Sequence, residues 1–111
     1  MGTPAQEFRL TEIESIGRPG IAVAGELDEA TCGQLDAAFK RLSNGGPVIL
    51  DLGHCTFVDS MGLDVILRAA TRLWDHGGRL IVCNARGPVR ELFRITGLTG
   101  SGGLDLMGDP A

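Results

Sequence analysis

An α/β fold with a mixed, mostly parallel sheet is what this sequence predicts, on three observations. Short apolar runs alternate along the chain with segments whose apolar residues recur at helical spacing. The first two runs are separated by Gly17-Arg18-Pro19-Gly20, a turn of the kind that joins antiparallel strands. A chain of 111 residues is long enough for one core and too short for two. The expected order is β-β-α-β-α-β-α with a further strand at the end. That makes four to five strands and about three helices in a single domain, 1–111, with a core of about 8–106 and flexible ends.

Taken in order, Met1 to Gln6 forms a frayed arm. Phe8 to Glu12 alternates apolar and polar residues, as an edge strand does. After the turn, Ile21 to Leu27 is a strand with Ile21, Val23 and Leu27 on one face and alanines on the other. Thr31-x-x-Gln34 fits a capping box, and Asp28 is a second candidate for the cap. Leu35, Ala38, Phe39 and Leu42 form the buried stripe of this first helix, and Ser43-Asn44-Gly45-Gly46 stops it. Val48 to Leu50 is a short apolar strand buried on both faces. A polar loop follows, and then an amphipathic helix with Leu63, Ile66, Leu67, Ala70, Leu73 and Trp74 on one stripe. Asp59 or Ser60 caps that helix by accepting from unpaired first-turn N–H groups. Asp75-His76-Gly77-Gly78 ends it, and Arg79 to Asn84 is another apolar strand. Pro88 suits the first turn of a third helix, with Val89, Leu92 and Phe93 inward and Gly97 at its end. Leu104 to Met107 supplies the final strand.

Composition narrows the function classes. The net charge is −4 with a pI near 5.0, which disfavours non-specific attraction to nucleic acid or anionic membranes. No apolar run approaches the ~20 residues of a membrane span, and no secretory signal opens the chain. Three widely spaced cysteines without a C-x-x-C pair fit reduced cytoplasmic thiols. Cys55 and Cys83 are packing thiols, and no metal-ligand spacing is present.

Ser60 is the candidate functional centre: a hydroxyl at a strand-to-helix junction, beside the positive end of a helix dipole. The enzyme alternatives fail on the residues. A nucleophile elbow needs G-x-S-x-G, and Val58 stands at its first position. His76 lies roughly 24 Å along the helix from Ser60 at ~1.5 Å per residue, too far to act as its base. An aspartyl phospho-acceptor at Asp51, with Glu26 and Asp28 for a metal, lacks a lysine on a late strand, since the only lysine is Lys40. Arg86, Arg90 and Arg94 recur every four residues and read as a solvated helix face.

Several motifs occur together in order: Gly25-Glu26-Leu27-Asp28 with Thr31, Asp51-Leu52, Phe57-Val58-Asp59-Ser60-x-Gly62-Leu63, Gly77-Gly78-x-Leu80 and Leu92-Phe93-x-Ile95-Thr96-Gly97-Leu98. With these, the chain resembles the STAS domain family, of the anti-sigma factor antagonist type, over roughly Phe8 to Leu106. The resemblance implies a non-enzymatic cytoplasmic regulator that binds an anti-sigma factor serine kinase when unmodified. Phosphorylation of Ser60 by that kinase would end the binding, and a phosphatase would restore it. Asp28, Asp59, Ser60, Met61 and Gly62 would form the partner-binding surface. The protein itself would need no cofactor, because ATP and Mg²⁺ would belong to the kinase. It would be a monomer, with a weak dimer as the alternative state. In the family the residue after the serine is usually Ser or Thr, and here it is Met61. Asp28 has a purely local reading as a cap. Gly62 either relieves crowding in the first turn or admits a partner's backbone. The alternative within the family is a non-phosphorylated interaction subunit of a lipid-transport or sensory complex.

The chemistry of such a switch is simple. A phosphate adds about −1.5 to −2 charges where the helix dipole favours them, so the domain need not unfold. It would enter a rim already made acidic by Asp28, Asp59 and Asp64, and a docked partner would meet an unmatched charge.

Overall fold

The computed structural model describes residues 7–15, 17–42, 46–95 and 104–107. Five strands and three helices follow one another as β1 (Arg9–Ser15), β2 (Arg18–Leu27), α1 (Cys32–Leu42), β3 (Val48–Val58), α2 (Ser60–Asp75), β4 (Leu80–Cys83), α3 (Gly87–Ile95) and β5 (Leu104–Met107). The sheet order is β1-β2-β3-β4-β5, with β1 antiparallel to β2 and every later pair parallel. Each crossover carries the chain one strand further in the same direction, so right-handed connections place all three helices on one face. Their buried residues meet those of the strands in one cluster, which includes Leu35, Phe39, Ile66, Leu73, Val89 and Phe93 from the helices. Ile21, Val23, Leu27, Leu50, Leu52 and Val82 face them from the sheet.

The order and the mixed sheet are those expected, and the fifth strand forms. The structure departs from the expectation in several respects. Arg18, Pro19 and Gly20 belong to β2 rather than to a turn, because the hairpin closes between Ser15 and Arg18. Pro19 is tolerated there because it sits at the start of β2, before its first partner pair with β3 (Gly20 with Ile49), so its missing N–H leaves no gap in the β2–β3 ladder. The segment after Leu52 is strand, not loop: β3 runs on to Val58. Beyond Asp51 it leaves β4 and pairs with β2 alone, through two bulges that each insert a residue into β3. A bulge hides strand periodicity from the sequence, since it interrupts the two-residue alternation.

The third change concerns α2. Its buried residues are Gly62, Val65, Ile66, Ala69, Ala70 and Leu73, with Leu63 and Leu67 half-buried. Trp74, expected in the core, is 51% exposed. The apolar arc of this helix is broad, and the part that turns inward includes Gly62, whose missing side chain permits a close approach to Leu27. Trp74 instead lies beneath the Arg79 guanidinium, 5.1 Å from the ring centroid, and Arg79 makes two 2.6 Å hydrogen bonds to Asp105 of β5. The fourth change is the cap of α1, taken up below. The expected arm 1–6 and stops at Ser43-Asn44-Gly45 and Gly97 lie outside the described residues.

Candidate functional site at the start of α2

The site is built where the carboxyl end of β2 meets the first turn of α2. Asp59 is the N-cap of α2: its extended backbone (φ −92°, ψ −177°) leaves the carboxylate free to turn back on the helix. Its Oδ1 accepts from the Gly62 N–H at 2.8 Å, and its carbonyl accepts from the Leu63 N–H at 2.9 Å. The other carboxylate oxygen, Oδ2, accepts from the Glu29 N–H at 3.1 Å, thirty residues earlier in the chain. The Asp59 N–H in turn donates to the Leu27 carbonyl at 3.1 Å. One aspartate therefore caps the helix and ties it to the β2–α1 loop.

That loop has its own reciprocal cap. Asp28 Oδ1 accepts from the N–H groups of Ala30 and Thr31, at 3.0 and 3.2 Å. Thr31 Oγ1 accepts from the Asp28 N–H at 2.9 Å and donates to the Glu26 carbonyl at 2.9 Å. The capping box is thus Asp28 with Thr31, not Thr31 with Gln34. Both Asp28 and Thr31 were visible as cap candidates; spacing alone did not say which pairing would close.

Gly62 is buried, and the structure gives it a definite task. A Cβ there would stand 2.7 Å from the Leu27 carbonyl oxygen and 2.8 Å from Leu27 Cγ. Its contact is with this chain's own β2, so it sets how closely α2 approaches the Asp28 loop. Gly25 plays a related part, with φ +89° and a missing side chain facing the Phe8 backbone.

Around this frame, Asp28 and Asp59 are half-buried, while Glu26, Glu29, Ser60 and Asp64 are exposed. Asp64 is paired with Arg68 at 2.8 Å. The Ser60 hydroxyl has no hydrogen-bond partner among the described residues, although it opens a helix of 16 residues. Met61 is 48% exposed, and Phe57, which precedes the site on β3, is 47% exposed. Phe57 and the Glu29 loop are the site residues that sequence reasoning missed. Phe57 lay in the quoted motif, but its exposure depends on the second bulge of β3, which offsets it from Cys55.

The residues weighed for other chemistry lie elsewhere. His76 is at the far end of α2, with Nδ1 2.8 Å from the Arg72 carbonyl. Asp51 Oδ1 accepts from the Gly53 N–H and from Asn84 Nδ2, and Lys40 pairs with Asp36. Arg86 donates to the Gly53 carbonyl at 2.7 Å, so it braces α3 against β3. Burial pushes the Cys55 and Cys83 thiols up, and Asp51 adds to the effect at Cys83. No group of three potential metal ligands occurs among the described residues. No described helix is long and apolar enough to cross a membrane.

A five-stranded mixed sheet with helices on one face and an exposed serine just after the Asp59 cap at the β3–α2 junction defines a single small α/β domain. Residues 9–105 match the STAS domain, and the chain belongs to that family. It is 34% identical over 82 residues to the anti-sigma F factor antagonist of Paenibacillus polymyxa, covering 70% of this chain and 69% of that one. It is 36% identical over 75 residues to BtrV of Bordetella bronchiseptica, a protein provisionally named as an anti-sigma factor antagonist. That match covers 66% of this chain and 65% of BtrV, just under two thirds of its length. Two solved structures share the fold. A Mycobacterium paratuberculosis anti-sigma factor antagonist superposes with a TM-score of 0.71 at 24% identity, covering 89% of this chain and 86% of that one. The Bacillus cell fate determinant SpoIIAA in its phosphorylated form gives 0.62 at 22% identity, covering 93% of both chains.

Proposed function

We propose that the protein is an anti-sigma factor antagonist, a cytoplasmic binding partner rather than an enzyme. Unmodified, it docks an anti-sigma factor kinase on the rim formed by Asp28, Asp59, Ser60 and Met61, and so frees a sigma factor. Phosphorylation of Ser60 by that kinase, with ATP and Mg²⁺ held on the kinase, ends the binding, and a phosphatase reverses it. The observation that carries this reading is the Ser60 hydroxyl: exposed, unpartnered among the described residues, and at the head of a capped helix next to Asp59 and the Asp28–Glu29 loop that Asp59 binds. The relatives named as anti-sigma factor antagonists support the same reading.

The physics of the switch follows from the cap. Asp59 already accepts from the N–H groups of Gly62 and Leu63, which leaves those of Ser60 and Met61 at the helix start. A phosphate on Ser60 gains about 0.3–1 kcal/mol from the dipole at an exposed site, so the fold tolerates it. A partner seated over the rim faces the new charge beside Asp28, Glu29 and Asp59, and like-charge juxtaposition costs several kcal/mol. At ~1.4 kcal/mol per factor of ten, binding falls by 100-fold or more.

The test is calorimetric titration of the cognate anti-sigma factor with three forms of the protein. Ser60→Ala should bind as tightly as the unmodified chain. Ser60→Asp should bind less tightly, and the phosphorylated chain least of all. Mass spectrometry after incubation with kinase and ATP should find phosphate on Ser60 alone. Equal binding by Ser60→Asp and Ser60→Ala would remove the repulsive switch and favour a non-phosphorylated interaction subunit.

A further inference from the structure

The sheet has a second face, opposite the helices, and it holds a concavity of about 310 Å³. Its floor is made by Ala22 and Ala24 of β2, and its walls by Arg9 and Thr11 of β1 and by Asp51 and His54 of β3. Register arranges these six residues in two rows. Arg9 and His54 flank Ala24, while Ala22 is flanked by Thr11 and Asp51. The rows are two residues apart on β2, roughly 7 Å, and the walls stand two strand spacings apart, roughly 9–10 Å.

His54 reaches this face because of the first β3 bulge. Ala22 pairs with Asp51 but Ala24 pairs with His54, so one extra residue of β3 returns the imidazole to the side that Asp51 occupies. Strict alternation from Asp51 would have turned it toward the helices. Asp51 is held in place as well: Oδ1 accepts from the Gly53 N–H at 2.9 Å and Asn84 Nδ2 at 3.2 Å, and Oδ2 is left over. The side chains of Arg9, Thr11 and His54 have no hydrogen-bond or ion-pair partner among the described residues. Arg9 and Asp51 do not satisfy each other, because β2 lies between them.

A guanidinium and a carboxylate thus face one small cavity from opposite walls, both with unused hydrogen-bonding capacity, over a floor of two methyl groups. We propose that this concavity binds a small zwitterion, with its anionic group between Arg9 and His54 and its ammonium group on Asp51 and Thr11. The guanidinium fork suits a carboxylate, and the methyl floor suits a short aliphatic body. A cavity of this size is at the lower end of small-molecule sites, which limits the ligand to a compact molecule. The proposal is independent of the role given to Ser60, which opens α2 and does not lie on this face.

The test uses 5-aminopentanoate, whose two charges reach about as far apart as the two rows, with pentanoate and pentylammonium as single-charge controls. Each is titrated into the full chain while the methyl resonances of Ala22 and Ala24 are followed by NMR. The zwitterion should shift both methyls saturably, and each control should bind at least tenfold more weakly. Arg9→Gln should weaken the zwitterion at least tenfold with its melting temperature unchanged, since Arg9 is exposed on an edge strand. Ala24→Val, which fills the floor, should do the same. Absence of saturable shifts with 5-aminopentanoate would overturn the assignment. So would pentanoate binding as well as the zwitterion, or an Arg9→Gln variant that keeps full affinity.

Discussion

Gly62→Ala and Gly33→Ala make the same chemical change in the first turn of two helices, and the structure gives them opposite signs. A Cβ at Gly33 meets nothing within 4 Å, so alanine there only stiffens the helix. That substitution should stabilise the protein by about 0.5–1 kcal/mol. At Gly62 the same gain is set against a Cβ placed 2.7 Å from the Leu27 carbonyl oxygen and 2.8 Å from Leu27 Cγ. One obstacle is backbone, held by the Asp59 N–H, so it cannot rotate aside. Overpacking of this kind costs about 1–3 kcal/mol. The difference between the two variants isolates the clash, since the helix term is common to both. It should therefore be about 1–3 kcal/mol, or a separation of roughly 4–12 °C in Tm at about 4 °C per kcal/mol for a chain this long. Urea melts with unchanged slope are the assay. Relief of the clash moves α2 away from Leu27 and stretches the two 3.1 Å bonds that tie Asp59 to the Leu27 carbonyl and the Glu29 N–H, so binding at the rim should weaken along with stability. A Gly62→Ala protein as stable as Gly33→Ala would show that the close approach of α2 to β2 is not what requires glycine.

Three further outcomes are expected. Leu73→Ala should cost about 2–5 kcal/mol in denaturant melts, because Leu73 is fully enclosed, while half-buried Leu67→Ala should cost less. Trp74→Ala should lose only about 0.5–1 kcal/mol, the worth of an exposed cation–π contact. Asp59→Ala removes acceptors from both Gly62 and Glu29 and should cost about 1–2 kcal/mol, with Asn recovering part of it in the same melts. Arg79, chiefly by its hydrogen bonds, holds the Asp105 carboxyl below its ordinary 3.8. A depressed folded value means this contribution is complete above pH 3.8 and is lost as the pH falls through the folded value. Asp105→Asn should flatten that part of the stability-versus-pH curve, as followed by thermal melts from pH 2 to 6.

Periodicity and turn chemistry were enough to assign the element order, the sheet class and Ser60 at the head of a helix, because those signals are local. Val48-Ile49-Leu50 before Asp59-Ser60 already stated a buried strand meeting a capped helix. What lay beyond the sequence was whatever depends on a neighbour distant in the chain. The length of β3 was hidden because two bulges break its alternation, and only pairing with β2 shows where it ends. Trp74 looked like core because it continues an apolar arc, but that arc is wider than the surface α2 can bury. The part that turns inward carries Gly62, Val65, Ile66, Ala69, Ala70 and Leu73. Asp59 was legible as a cap, whereas its second oxygen on the Glu29 N–H was not, since it joins residues thirty positions apart. The same holds for the concavity on the open face. Arg9, Ala24 and His54 have nothing in common along the chain, and strand register alone sets them in one row.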